Sequence, residues 1–169
     1  MGLLHPAFDW YEVARLVLTS RYVDELEEQE LVPQGYINYQ FSARGHELGQ
    51  VLLSQLMTRP FDAASAYYRS RPFVFGSGLT IEEAIASDMA RAGGFSNGRD
   101  IGVVFNLPAR GRATILPMAA DVGAQFTPAV GWAQAIRYRV DQLGESELTD
   151  SMAIVFSGDG AVASNGFWA

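Results

Sequence analysis

The amino-acid sequence predicts an α/β protein built on a parallel sheet flanked by helices, and three observations carry that expectation. Met152-Ala-Ile-Val-Phe is a wholly apolar run that ends in Ser157-Gly158-Asp159-Gly160. An exposed antiparallel strand would alternate, so this run reads as a buried parallel strand. Upstream lie several segments with apolar residues at helical spacing. No linker or repeat interrupts the 169 residues, which are expected to form part of one domain without an internal boundary.

From Trp10 to about Glu30, apolar residues at Val13, Leu16, Val17, Val23 and Leu26 give an amphipathic helix. Asp9 is its expected N-cap, and Glu12 three positions on completes a loose capping pattern. Residues 33–44 mix Pro, Gly and aromatics and read as an irregular link. A second helix is expected from about Gly45 to Met57, stopped before Pro60. Residues 60–78 are rich in aromatics and arginine, broken by Pro72 and closed by glycines. Thr80-Ile-Glu-Glu is a capping box, so a helix should follow to about Ala92. Residues 93–112, punctuated by glycine and polar turns, read as a long ordered loop. Ala113 to Met118 is a candidate short strand. Pro128 stands where a first-turn proline opens a helix reaching about Gln142.

Composition excludes whole classes of chemistry. There is no cysteine, so disulfides, thiol catalysis and thiolate metal sites are out. Two histidines far apart, His5 and His46, make a zinc site a poor expectation. All 12 basic residues are arginine, which removes a phosphate-binding P-loop and Schiff-base chemistry, both of which need lysine. A net charge of −7 with no basic patch fits neither nucleic acid nor an anionic membrane. No apolar stretch approaches the ~18–20 residues of a membrane span. The opening MGLLHPAFDW has neither a basic nor an apolar signal region, so a cytoplasmic location is expected. Any bound anion must be met by a few arginines, backbone amides or a metal.

Three segments can carry such chemistry. In the first, the apolar strand runs into Gly158-Asp159-Gly160-Ala161. Ligands of parallel sheets bind beyond the carboxyl ends of strands. A carboxylate between two glycines there can hold Mg²⁺ against a diphosphate. The same residues also suit a plain turn capping the next helix. In the second, Tyr67-Tyr-Arg-Ser-Arg71, two arginines and two tyrosines offer forks and hydroxyls to phosphate or carboxylate. The alternative is a solvated arginine pair on an aromatic surface. In the third, Val122-Gly-Ala-Gln-Phe before Thr127-Pro, small residues permit a ring to approach the backbone, or simply tight helix packing. His46 beside Glu47 is better read as a capping or surface histidine than as a base. Phe73, Phe75 and Tyr67 are expected in the core rather than against a cofactor.

In this co-linear order, a long N-terminal helix, Arg44–Gln50 (RGHELGQ), YYRSR, Ser96–Asn106 (SNGRDIGVVFN), Asp121–Ala135 (DVGAQFTPAVGWAQA) and Phe156–Ala169 (FSGDGAVASNGFWA) follow one another. The set resembles the thiamine-diphosphate-dependent first component of 2-oxo acid dehydrogenase complexes, in its alpha subunit or the alpha half of a fused alpha–beta chain. The ending GDGAVASNGFWA is more similar to the fused bacterial branch assigned to branched-chain 2-oxo acids than to mitochondrial alpha subunits. The resemblance implies the N-terminal portion of a thiamin-diphosphate-binding fold, with Asp159 as a Mg²⁺ ligand and Gly158, Gly160 and Ala161 beside the diphosphate. Tyr68 and Arg69 would touch the diphosphate, and Val122 would wedge under the bent cofactor. No residue here maps to a proton-transfer role.

Departures from the family pattern qualify the carry-over. Ala119 and Ala124 stand where members that bind a structural potassium use Ser and Thr, and GHEL stands where many read GQEA. The second metal ligand, an Asn some two to three dozen residues after GDG, is not reached; Asn165 is too near, in the opening turn of the next helix. The resemblance therefore implies an incomplete fold, a fragment inactive by itself and weak in cofactor binding. Its implied partners are a beta subunit or beta half, a lipoyl acyltransferase and a 2-oxo acid, in an oligomer. Two other functions fit the residues. One is a non-catalytic α/β module using an open sheet and the apolar helix near Val130–Ala135 as an interface. The other is a transketolase-like thiamine diphosphate enzyme.

Overall fold

The computed structural model describes residues 8–99 and 104–168. The sequence-predicted α/β class is what it has. Three parallel strands, β1 (Ala63–Ser65), β2 (Thr114–Ile115) and β3 (Ala153–Val155), lie in the order β2-β1-β3 with helices around them. Register pairs Ala63 with Thr114 on one side of β1 and with Ala153 on the other. The loop before β2 adds an antiparallel bridge between Leu107 and Ile115.

Helix α1 (Trp10–Leu26) begins as its cap dictates, with Asp9 accepting from the Tyr11 and Glu12 N–H groups. Glu12 does not close a capping box; its carboxylate takes Arg15 instead, at 2.7 Å. The last turn widens into a π-helical stretch, Glu27–Leu31. Val13, Leu16 and Val23 are buried in one core with Val51, Phe73, Val74 and Ile115. The second helix, α2 (Glu47–Leu56), starts two residues later than its sequence suggests, because Gly45 at φ +88° still belongs to the turn.

The stretch 60–78 holds two elements that its composition conceals. β1 is Ala-Ala-Ser, small residues without β propensity, fully buried as the central strand. Pro72 does not break a helix but sits in the first turn of α3 (Arg71–Gly76), where its missing N–H is harmless. Helix α4 (Ile81–Asp88) carries the full Thr80–Glu83 capping box. It ends before Ala92, since Ala90 turns left-handed at φ +51° and the Arg91 N–H bonds back to Ala86 O at 2.7 Å. The described part of 93–112 is loop and turn, as expected; residues 100–103 lie outside the described residues, as does His5.

Helix α5 (Phe126–Leu143) takes Pro128 in its first turn and stops at left-handed Gly144. Only Ala129 and Ile136 of its side chains are buried. β3 is parallel, as its apolar run predicts, but it is not buried on both faces: Met152 is 44% exposed and Val155 37%. The reason is topological, because β1 occupies the centre and β3 an edge. A short 3₁₀ stretch, Asp159–Ala163, and helix α6 (Asn165–Trp168) follow. No helix among the described residues is long and apolar enough to cross a membrane.

Candidate functional site

The carboxyl ends of all three strands feed one cleft of about 240 Å³. β1 leads into Tyr67 and Tyr68, β2 into Met118 to Val122, and β3 into Gly158 to Ala161, with Gln125 at the back. This is where a parallel sheet places a ligand. Of the residues singled out by sequence, Tyr68, Val122, Gly158, Asp159, Gly160 and Ala161 line it together; Arg69 does not.

Each wall has a local cause. The 3₁₀ stretch lifts Asp159 to the surface, where one carboxylate oxygen accepts the Gly160 N–H at 2.9 Å and the other has no bond among the described residues. A Cβ added at Gly158 or Gly160 would meet nothing within 4 Å, and neither glycine has positive φ. Neither protein packing nor backbone strain therefore demands glycine at these two lining positions. Val122 is 69% exposed at the lip. Burial pushes the Tyr67 phenol up from its ordinary value, keeping it a protonated donor.

The tyrosine–arginine segment is set by α2. Gln50 Nε2 donates to the Arg69 carbonyl at 3.0 Å, and its Oε1 accepts the Phe73 N–H at 3.3 Å. Arg69 stands beside Tyr68, donating to Ser42 O at 2.7 Å, its guanidinium 5.5 Å from the Tyr68 ring centre and 5.8 Å from that of Phe41. Arg71 is not a ligand group at all. Its side chain is 5% exposed and reaches Glu27 at 2.8 Å, Asp88 at 3.0 Å and Asp24 at 3.3 Å. Burial alone would lower its pKa; the three carboxylates outweigh that and raise it. The arginine pair thus divides into one structural residue and one beside the cleft.

Phe73 and Phe75 are core, as expected, whereas Tyr67 is only part-buried and lines the cleft. His46 is exposed at the start of α2 and makes no capping bond. Its neighbour Glu47 is buried; burial pushes its carboxyl up, but its own N–H, Arg21 and the Gly45 N–H together hold it below the ordinary value.

Asp121 and Gln125 also line the cleft; both belong to the segment Asp121–Ala135 on which the resemblance rests, but neither carries an expected side-chain role there, since an Asp or Gln near a helix start has no distinctive spacing. Among the described residues the walls therefore carry two carboxylates and no cation. Among the described residues no group of three His, Cys, Asp or Glu could cage a metal. Such a donor set suits a hard divalent cation held by one or two carboxylates and completed by water or a ligand's phosphates.

Residues 14–168 match the dehydrogenase E1 component family, and the chain belongs to that family. A comparison with curated proteins finds no match. Family membership makes the chain a dehydrogenase component.

Proposed function

We propose that this chain supplies the diphosphate- and Mg²⁺-anchoring side of a thiamine diphosphate site in a 2-oxo acid dehydrogenase that decarboxylates its substrate and passes the acyl group to lipoamide. The observation that supports this best is the convergence of Tyr68, Val122 and Gly158–Ala161, from three different strand ends, on one cleft in a chain of the dehydrogenase E1 component family. The residues fit the cofactor. A cleft whose described walls carry carboxylates and no cation favours a diphosphate that is bound together with a metal.

When bound, thiamine diphosphate supplies the carbon nucleophile and electron sink for decarboxylation. In this reading the chain's own residues bind and orient. Asp159 gives its free carboxylate oxygen to Mg²⁺, the tyrosine hydroxyls donate to phosphate oxygens, and Arg69 adds positive potential from beside Tyr68. Val122 offers an apolar surface at the lip. In this reading none of these groups moves a proton, and a beta subunit or beta half supplies the carboxylate that activates the cofactor's aminopyrimidine. A branched-chain 2-oxo acid as substrate, a lipoyl acyltransferase as acceptor, an oligomeric assembly and a cytoplasmic location belong to the same proposal.

Phosphorus-31 NMR of thiamine diphosphate tests it. The chain is expected to broaden the diphosphate resonances weakly and only with Mg²⁺, and Asp159→Ala to abolish the effect with the circular dichroism unchanged. Absence of any Mg²⁺-dependent broadening, or equal broadening by the variant, refutes the reading. The outward face of α5, with Val130 and Tyr138 more than half exposed, favours a second role as an interface, compatible with the first.

A further inference from the structure

We infer that Gln125 is a positioning residue that fixes the metal loop, Gly158–Gly160, relative to the cleft lip at Val122. Its side chain does this from behind the loop. Gln125 is 8% exposed, and its Nε2 donates to Phe156 O at 3.2 Å and to Ser157 Oγ at 3.3 Å. The Ser157 hydroxyl passes the bond on to Gly158 O at 3.2 Å. The entry to the loop is thereby tied to the residue that opens α5.

The exit from the loop is tied to the same short segment. Gly123 has φ +86°, and a Cβ there would stand 2.0 Å from Ser164 Oγ; a Cβ on Gly166 would stand 2.2 Å from Gly123 O. Phe126 and Phe167 pack edge to face at 5.1 Å. Residues 123–126 therefore grip the chain on both sides of the loop, while Gly158, Asp159 and Gly160 between the grips are exposed. Val122 is the next residue outward from that grip. One segment thus sets both lips of the cleft, and a site with its lips held at a fixed separation loses less on ordering a ligand. The glutamine must be a donor, because Phe156 presents a carbonyl.

The ligand half of this inference rests on the thiamine diphosphate reading; the mechanical half does not. Two variants of the full chain test it: Gln125→Leu, which removes both bonds, and Gln125→Glu, which keeps the shape and loses the donor. In metal-free protein the Ala161 N–H, bonded to Gly158 O at 3.1 Å, should exchange with deuterium about tenfold faster in each variant, as loss of a hydrogen bond implies. Exchange in α1 and α2 should stay unchanged. With thiamine diphosphate present, the Mg²⁺ midpoint for phosphorus line broadening should rise about tenfold at an unchanged plateau. Unaltered exchange at Ala161 in either folded variant overturns the clamp. A wild-type Mg²⁺ midpoint in both variants overturns its role in the site. No broadening by the wild-type chain overturns the cofactor reading and the ligand half with it, and the exchange rates then decide the clamp.

Discussion

Replacing Arg71 by methionine removes the cation that Asp24, Glu27 and Asp88 share in the interior. Breaking a buried pair by deleting one partner costs about 3–5 kcal/mol, because the remaining charge is left without compensation. Here three carboxylates lose their shared partner, two of them with side chains at 0% exposure, so the expected cost lies near the upper end, about 5 kcal/mol. For a domain of this size that is a fall in melting temperature of about 10–20 °C. Urea unfolding followed by circular dichroism should show a lower midpoint at an unchanged slope. The double variant Arg71→Met with Glu27→Gln should recover at least about 1 kcal/mol, since it deletes one of the stranded charges. If Arg71→Met is within about 1 kcal/mol of wild type, the cluster is not the structural centre described. If it instead weakens Mg²⁺-dependent diphosphate binding at unchanged stability, Arg71 serves the ligand and the division of the arginine pair is wrong.

Other perturbations have equally definite outcomes. The Arg110 guanidinium holds the Glu83 carboxyl at about 2, below its unfolded value of about 4.3. The pair therefore contributes fully above about pH 5 and is lost as pH falls towards 2. Because Arg110 is 40% exposed, solvent screening keeps the contribution below about 1 kcal/mol. Stability curves of wild type and Arg110→Ala should converge on acidification; divergence would reverse the sign argued here. Asp62, buried, accepts the Met152 N–H at 2.8 Å and the Arg59 N–H at 2.9 Å. Asp62→Ala should cost about 1–3 kcal/mol in urea unfolding, with exchange of the Met152 N–H accelerated most. Gly166→Ala drives a methyl into Gly123 O and should disorder the lip, read as near-ultraviolet dichroism lost from the Phe126–Phe167 and Trp168 cluster while far-ultraviolet helix content is kept.

Much of this protein is local, and local features are legible in sequence. Asp9 and Thr80 cap their helices because a short polar side chain meets the N–H groups two or three residues ahead. The turn Ser157-Gly-Asp-Gly follows the apolar strand because the chain must leave the sheet there, and the cleft sits at that exit. Co-linear motifs also located Tyr68, Val122 and the 158–161 loop, whose convergence then followed from three parallel strands ending on one side.

What tertiary structure alone decided concerns partners distant in the chain. Ala63-Ala-Ser became the central strand against its propensities, because β2 and β3 pair with both of its hydrogen-bonding edges and its three side chains are buried. β3, the more strand-like sequence, was left at the edge. Arg69 and Arg71 are chemically identical and two residues apart, yet α3 begins at Arg71 and delivers its guanidinium to carboxylates of α1, its π-helical extension and α4, while Arg69 remains in the turn beside Tyr68. Gln125 acquires its role from a carbonyl 31 residues later. Caps and turns are decided by neighbours a few residues away. Burial, ion-pair partners and the spacing of a cleft depend on which segments the folded chain brings together, and no local pattern encodes them.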